Sequence, residues 1–65
     1  MLYQNRIKER RGQLRMTQLK LSKLSGISRS AIAEIEEGKH APSVYMALDL
    51  AQALGVTVEW LFSAP

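Results

Sequence analysis

Residues 17–38 read TQLKLSKLSGISRSAIAEIEEG, and the rest of the chain can be read outward from them. The stretch divides into two short helices about a tight turn. Residues 18–25 form the first, with Leu21 and Ser25 four positions apart on its inward face. Thr17 offers a hydroxyl to its free N–H groups, while Lys20 stands where a capping box would place Glu or Gln, so the reciprocal half of the box is missing. Gly26 falls where a helix must end in a left-handed residue, a conformation glycine adopts without a Cβ penalty. Ile27 then turns inward, and Ser28 caps a second helix over residues 29–37, whose inward positions are Ile32 and Ile35. Its other positions, Arg29, Ser30, Ala33 and Glu34, are short or polar. A helix with aliphatic anchors behind and a small, polar face in front suits insertion into the major groove of DNA.

The flanks extend this pattern into an all-α chain of five helices. Residues 3–14 predict a helix before the motif, with Ile7, Arg11 and Leu14 on one face and Gly12 weakening it by up to about 1 kcal/mol relative to alanine. Arg15 and Met16 connect it to the motif, Met16 packing inward as core filler. Gly38 ends the second motif helix in a left-handed cap, and residues 39–41 form a loop. Pro42 and Ser43 open a fourth helix, proline suiting a position that lacks a backbone donor. Its apolar stripe is Val44, Ala47, Leu48, Ala51 and Leu54, with Asp49 and Gln52 pointing away and Gly55 ending it. Thr57 caps a short fifth helix, Val58–Phe62, with Glu59 near its positive end, and residues 63–65 should fray. The expected core is Ile7, Leu14, Leu21, Ile27, Ile32, Ile35, Leu48, Ala51, Leu54, Val56 and Leu61.

Composition narrows the function. Sixty-five residues allow one domain over 1–65 with one small core; folding at this size buries roughly 60% of the unfolded surface. The chain has no cysteine, which excludes disulfides and cysteine-based zinc sites, and a single histidine, His40, cannot make a metal site alone. No apolar run approaches a membrane span, and the first eleven residues lack the apolar core of a secretory signal, so a cytoplasmic location is the default. No nucleophile with a base and an orienting group can be assembled, and Glu34, Glu36 and Glu37 do not converge, so no enzyme, cofactor or metal is expected. The formal charge is +3 with an isoelectric point near 9.7. Seven of the nine Lys and Arg residues (Arg6, Lys8, Arg10, Arg11, Arg15, Lys20, Lys23) precede Gly26. Three of the six acids instead cluster on the second motif helix, an unusual arrangement for a plain phosphate-binding surface.

NRIK at residues 5–8, the motif TQ…LS…SGISRSAI…IEEGK, and PS…AQALGVTVEWLF toward the end fall in one order and spacing. In these the chain resembles the lambda-repressor-like helix-turn-helix family (the Cro/CI or XRE group) over residues 5–62. The resemblance implies the five-helix DNA-binding fold, with the motif helix from Arg29 to Glu37 in the major groove of double-stranded DNA. It implies that Arg11 pairs with Glu36, and that Gln18 touches a phosphate and also braces the recognition helix. Arg29, Ser30, Ala33 and Glu34 would face base edges; Ser28, Lys39 and Ser43 would join Gln18 on phosphates. Relatives commonly dimerise through the last helix, which points to Val58, Trp60 and Phe62 as contacts of a weak homodimer. Apolar Val58, Trp60, Leu61 and Phe62 are too many for one inward face, so some should be exposed, although Trp60 suits equally well a lid on the core.

The sequence departs from the family in four places. Arg10 replaces an aliphatic residue, Leu19 and Leu24 replace polar ones, and Glu34 stands where a neutral or basic residue is usual. Two functions follow. The first is a sequence-specific DNA-binding transcriptional regulator; the alternative is a protein-interaction module, antitoxin-like or an adaptor domain, using Leu19, Leu24, Tyr45, Met46, Trp60 and Phe62. No small-molecule ligand is expected within the domain.

Overall fold

The computed structural model describes residues 4–63 and gives five helices in the order α1 (Ile7–Leu14), α2 (Gln18–Ser25), α3 (Arg29–Glu36), α4 (Val44–Leu54) and α5 (Val58–Phe62). Each is at most 11 residues long, shorter than the roughly 12–15 residues an isolated helix needs in water. Packing and end chemistry therefore hold them. Thr17, Ser28, Ser43 and Thr57 precede α2 to α5 in extended backbone, and each side chain accepts a hydrogen bond from the third residue beyond it, Lys20, Ala31, Met46 and Trp60 respectively. Helix α2 packs on α3 and α4, and α4 also carries α1 and α5.

The core is made of Ile7, Leu21, Ile27, Ile32, Ile35, Ala47, Leu50, Ala51, Leu54 and Leu61. This departs from the sequence reading on α4, where Leu48 is 51% exposed, Val44 lies open, and Leu50 is fully buried. The true inward set, Ala47, Leu50, Ala51 and Leu54, keeps the i, i+3, i+4, i+7 spacing. VYMALDLAQAL is apolar on nearly every side, so two registers fit the pattern and only the tertiary fold selects one. Leu14 is likewise 40% exposed rather than core. It is the last residue of α1, and the chain reverses at Arg15 before Met16 packs on the core in its place. Val56 is half-buried against the core.

Boundaries shift slightly. Helix α1 begins at Ile7, since Gln4 and Asn5 are not helical. A start at Tyr3, like the end at Ala64 and Pro65, lies outside the described residues. Helix α3 stops at Glu36, with Glu37 as its cap, and α4 starts at Val44 with Ser43 as cap, so Pro42 precedes the helix rather than opening it.

One helix end carries strain. Helix α1 closes in the same pattern as α4, with Arg15 N–H donating to Gly12 O and Met16 N–H to Arg11 O. The left-handed residue is Arg15 at φ 54°, where α2, α3 and α4 are followed by glycine. A side chain in this region costs about 1 kcal/mol or more. Arg15→Gly should therefore raise unfolding stability by about 0.5–1 kcal/mol in urea denaturation despite the added unfolded-state entropy. Ile32→Ala, at a fully buried position, should lower it by about 2–4 kcal/mol; a loss near zero would mean that the motif register is wrong.

Candidate nucleic-acid interface

Helix α3 is divided in two by burial. Ile32 and Ile35 are fully buried, while Ser28, Arg29, Ser30 and Glu34 are exposed and Ala33 is half-buried. Its eight residues give a rod of about 12 Å, the width of a B-DNA major groove. Ser28 Oγ is occupied by the cap, accepting from Ala31 N–H at 3.2 Å, and lies 3.5 Å from Ser30 Oγ. Arg29 forms no ion pair among the described residues. It lines a shallow cleft of about 500 Å³ with Arg11, Thr17, Gln18 and Leu19. The start of α3 and the start of α2 therefore share one surface.

The far end of α3 is anchored to α1. Arg11 Nε donates to Glu36 Oε2 at 2.6 Å and Arg11 Nη2 to Glu36 Oε1 at 3.0 Å, a two-point fork. Arg11 Nη1 also donates to Met16 O, and Gln18 Nε2 donates to Glu36 Oε1 at 3.1 Å. The side chains are only 14% and 5% exposed. Hydrogen bonding to Glu36, and then its charge, outweigh desolvation and hold the Arg11 guanidinium above its ordinary range. Gln18 thus touches the end of α3 with one amide proton and keeps a second available for another acceptor.

Two further residues make contacts that the sequence did not announce, Asn5 at this end of α3 and Arg10 at the end of α4. Asn5 Oδ1 accepts from Ile7 N–H at 3.1 Å and Asn5 Nδ2 donates to Ile35 O at 2.8 Å. The available signal was an Asn two residues before an apolar helix start, a position from which it closes a local turn. Arg10, noted only as a departure, donates from Nε to Leu54 O at 2.9 Å and from Nη1 to Gln13 Oε1. It closes the C-terminal end of α4, where positive charge is favoured.

Lys39 is exposed but not free. Its Nζ sits 2.9 Å from Glu37 Oε2, and the hydrogen bond to Glu37, its charge and then the charge of Glu34 raise the Lys39 pKa. Ser43 caps α4 and also borders an open groove of about 740 Å³ lined by Val44, Leu48, Val58 and Phe62. The expected exposure on α5 is not found: Leu61 is buried, and Val58, Trp60 and Phe62 are half-buried against the core. The Arg6 guanidinium lies 5.1 Å from the Trp60 ring centroid, so Trp60 is a covered side of the core. The exposed large apolar side chains sit instead on α4 (Val44, Leu48 and Tyr45, the last 80% exposed), at Leu19 and Leu24 of α2 and at Leu14 of α1.

The helix-turn-helix family model matches residues 7–61. The chain belongs to the lambda-repressor-like helix-turn-helix family. An uncharacterized HTH-type transcriptional regulator of Methanocaldococcus jannaschii is 40% identical over 58 residues, covering 89% of this chain and 88% of that protein. The regulator YgzD of Bacillus subtilis is 34% identical over the same span. Among solved structures, the restriction-modification controller protein C.AhdI of Aeromonas hydrophila superposes with a TM-score of 0.83 at 35% identity, covering 88% of this chain and 86% of that one.

The fork at Glu36 is testable by a double-mutant cycle. Arg11→Met should destabilise by roughly 3 kcal/mol, because it strands a nearly buried carboxylate. Adding Glu36→Leu should restore much of the loss. Losses that simply add in urea denaturation would show that the two groups do not stabilise one another.

Proposed function

We propose that the chain is a sequence-specific regulator of transcription that places α3 in the major groove of double-stranded DNA. The observation that carries this reading is the division of α3: a clamped, buried rear and end, and an open front made of Arg29, Ser30, Ala33 and Glu34. The relatives named as transcriptional regulators support it. Arg29 suits a fork onto guanine O6 and N7, worth about 1–3 kcal/mol of discrimination. Glu34 accepts from cytosine N4 in the same groove. Phosphates would be met by the second amide proton of Gln18, by Ser28 and Ser43 at helix N-termini, and by Lys39.

Selection of bound sequences from a random DNA pool tests the reading, and we expect a half-site containing a G with a C nearby. Arg29→Ala should relax preference at one base pair only. Lys39→Ala should weaken every sequence alike and lower the salt slope by about one, while Glu37→Gln, which frees Lys39, should strengthen every sequence. Glu34→Gln should move preference from C toward A. Equal loss on random and selected DNA for Arg29→Ala would make Arg29 a phosphate contact and overturn the docking register.

Two copies meeting across α4 and α5 would read half-sites about 34 Å apart. The groove places Val44 and Leu48 beside Val58 and Phe62, so the contact we propose is centred on these four rather than on Trp60. Leu48→Glu should leave the melting temperature nearly unchanged and abolish any dimer seen by sedimentation. A parent chain that stays monomeric both free and on DNA would remove the dimer from the proposal. Exposed Leu19, Leu24 and Tyr45 favour an interaction module as the second reading, which gains if the pool yields no enriched sequence.

A further inference from the structure

We propose that Asn5 is a positioning residue for recognition. Its amide ties the start of α1 to the last turn of α3 and so fixes the angle at which the open end of α3 meets a DNA base edge. The inference rests on the DNA-binding reading above. Ile35 O is one of the carbonyls a helix leaves without an intrahelical partner at its end. It accepts from Gly38 N–H at 3.0 Å within its own turn and from Asn5 Nδ2, thirty residues away in sequence and partly buried, at 2.8 Å.

The geometry explains why the Arg11–Glu36 fork needs a companion. The fork and the Gln18 amide all act through one side chain, the Glu36 carboxylate, so by themselves they fasten the rod at one point and leave its backbone a pivot. Asn5 lies just before α1 and Arg11 in its second half, so the two fastenings are spaced along that helix. They hold neighbouring residues of α3, Ile35 and Glu36. Without the second, a pivot of about 10° would carry the tip of the 12 Å helix about 2 Å, more than a hydrogen bond to a base edge tolerates. The next residue extends the strap. Arg6 N–H donates to Leu61 O at 2.8 Å, and its guanidinium covers Trp60. Asn5 and Arg6 together fasten α1, α3 and α5.

The test separates capping from tying. Asn5→Asp keeps an oxygen for Ile7 N–H but replaces the donor toward Ile35 O with another acceptor. Its added charge lowers all DNA affinities alike, so the quantity to read is the ratio of affinities for selected and random DNA. Base contacts need placement that phosphate contacts do not, so we expect the ratio to fall about five- to tenfold, as for one lost hydrogen bond. The Gly38 and Lys39 amides should exchange faster, in a variant that still melts cooperatively. An unchanged ratio, or unchanged exchange at these amides, would overturn the proposal.

If Asn5→Asp does not fold, the parent supplies the measurement through its own Asn5 Nδ2 protons. They should exchange more slowly on selected than on random DNA, and equal rates on the two would overturn the proposal. A parent that enriches no sequence from a random pool overturns the DNA-binding reading itself. The exchange of Gly38 and Lys39 in Asn5→Asp reports the tie independently of DNA.

Discussion

A carboxylate at the end of α3, nearly removed from water, governs how this chain is put together. The Glu36 side chain is 5% exposed, and an ionised group so placed is tolerated only when its oxygens are satisfied. Three donors meet them: Arg11 Nε, Arg11 Nη2 and Gln18 Nε2. These come from α1 and from the first residue of α2, so one charge fixes the mutual placement of three helices. Replacing the cluster with apolar residues would serve stability as well or better. What the ionic version adds is direction, because a fork accepts only one relative orientation of its partners.

Direction matters here because the core is small. Helix α3 contributes two side chains to it, Ile32 and Ile35, and two aliphatic contacts on one stripe restrain sliding along the axis poorly. The polar contacts lie beyond them toward the C-terminal end: Asn5 on Ile35 O, Arg11 and Gln18 on Glu36. Among the described residues no such tie reaches the N-terminal half of α3, where Ser28, Arg29 and Ser30 are exposed. The helix is fastened at one end and presented at the other, an arrangement that keeps adaptable side chains on a rigid support.

How much of this could be read in advance depended on the kind of signal. The five helices were legible because caps are local: Thr17, Ser28, Ser43 and Thr57 each act on a residue three positions on, and Gly26, Gly38 and Gly55 take positive φ. The register of α4 was not legible. Only Asp49 and Gln52 break an otherwise apolar or small helix, and both Leu48 and Leu50 stand beside Asp49, so the sequence alone did not choose between them. Leu50 faces the core because the helix is rolled by its partners α1, α2 and α5, which is tertiary information. Of the site, the partners Arg11 and Glu36 were reachable only through family likeness. The ties of Asn5 and Arg10 to distant backbone carbonyls had no sequence signal, since any carbonyl is a possible acceptor.

The acidic cluster on α3, which looked ill-suited to a polyanion, divides into three unlike charges once the partners are known. Glu36 is neutralised by Arg11, and Glu37 is paired with Lys39 at the surface. Glu34 forms no ion pair among the described residues and stays exposed. On the DNA-binding reading, that single free carboxylate lies among Arg29 and Ser30 on the groove-facing side. There it repels a backbone met out of register and gains a hydrogen bond only where a cytosine amine is in reach. The pairing at Glu37 acts in the same sense. Lys39 must exchange one anion for another to reach a phosphate, so its net gain from non-specific contact is reduced. A chain of formal charge +3 would thereby place most of its attraction before Gly26 and leave the reading helix itself selective rather than adhesive, which is the balance a specific ratio over non-specific DNA requires.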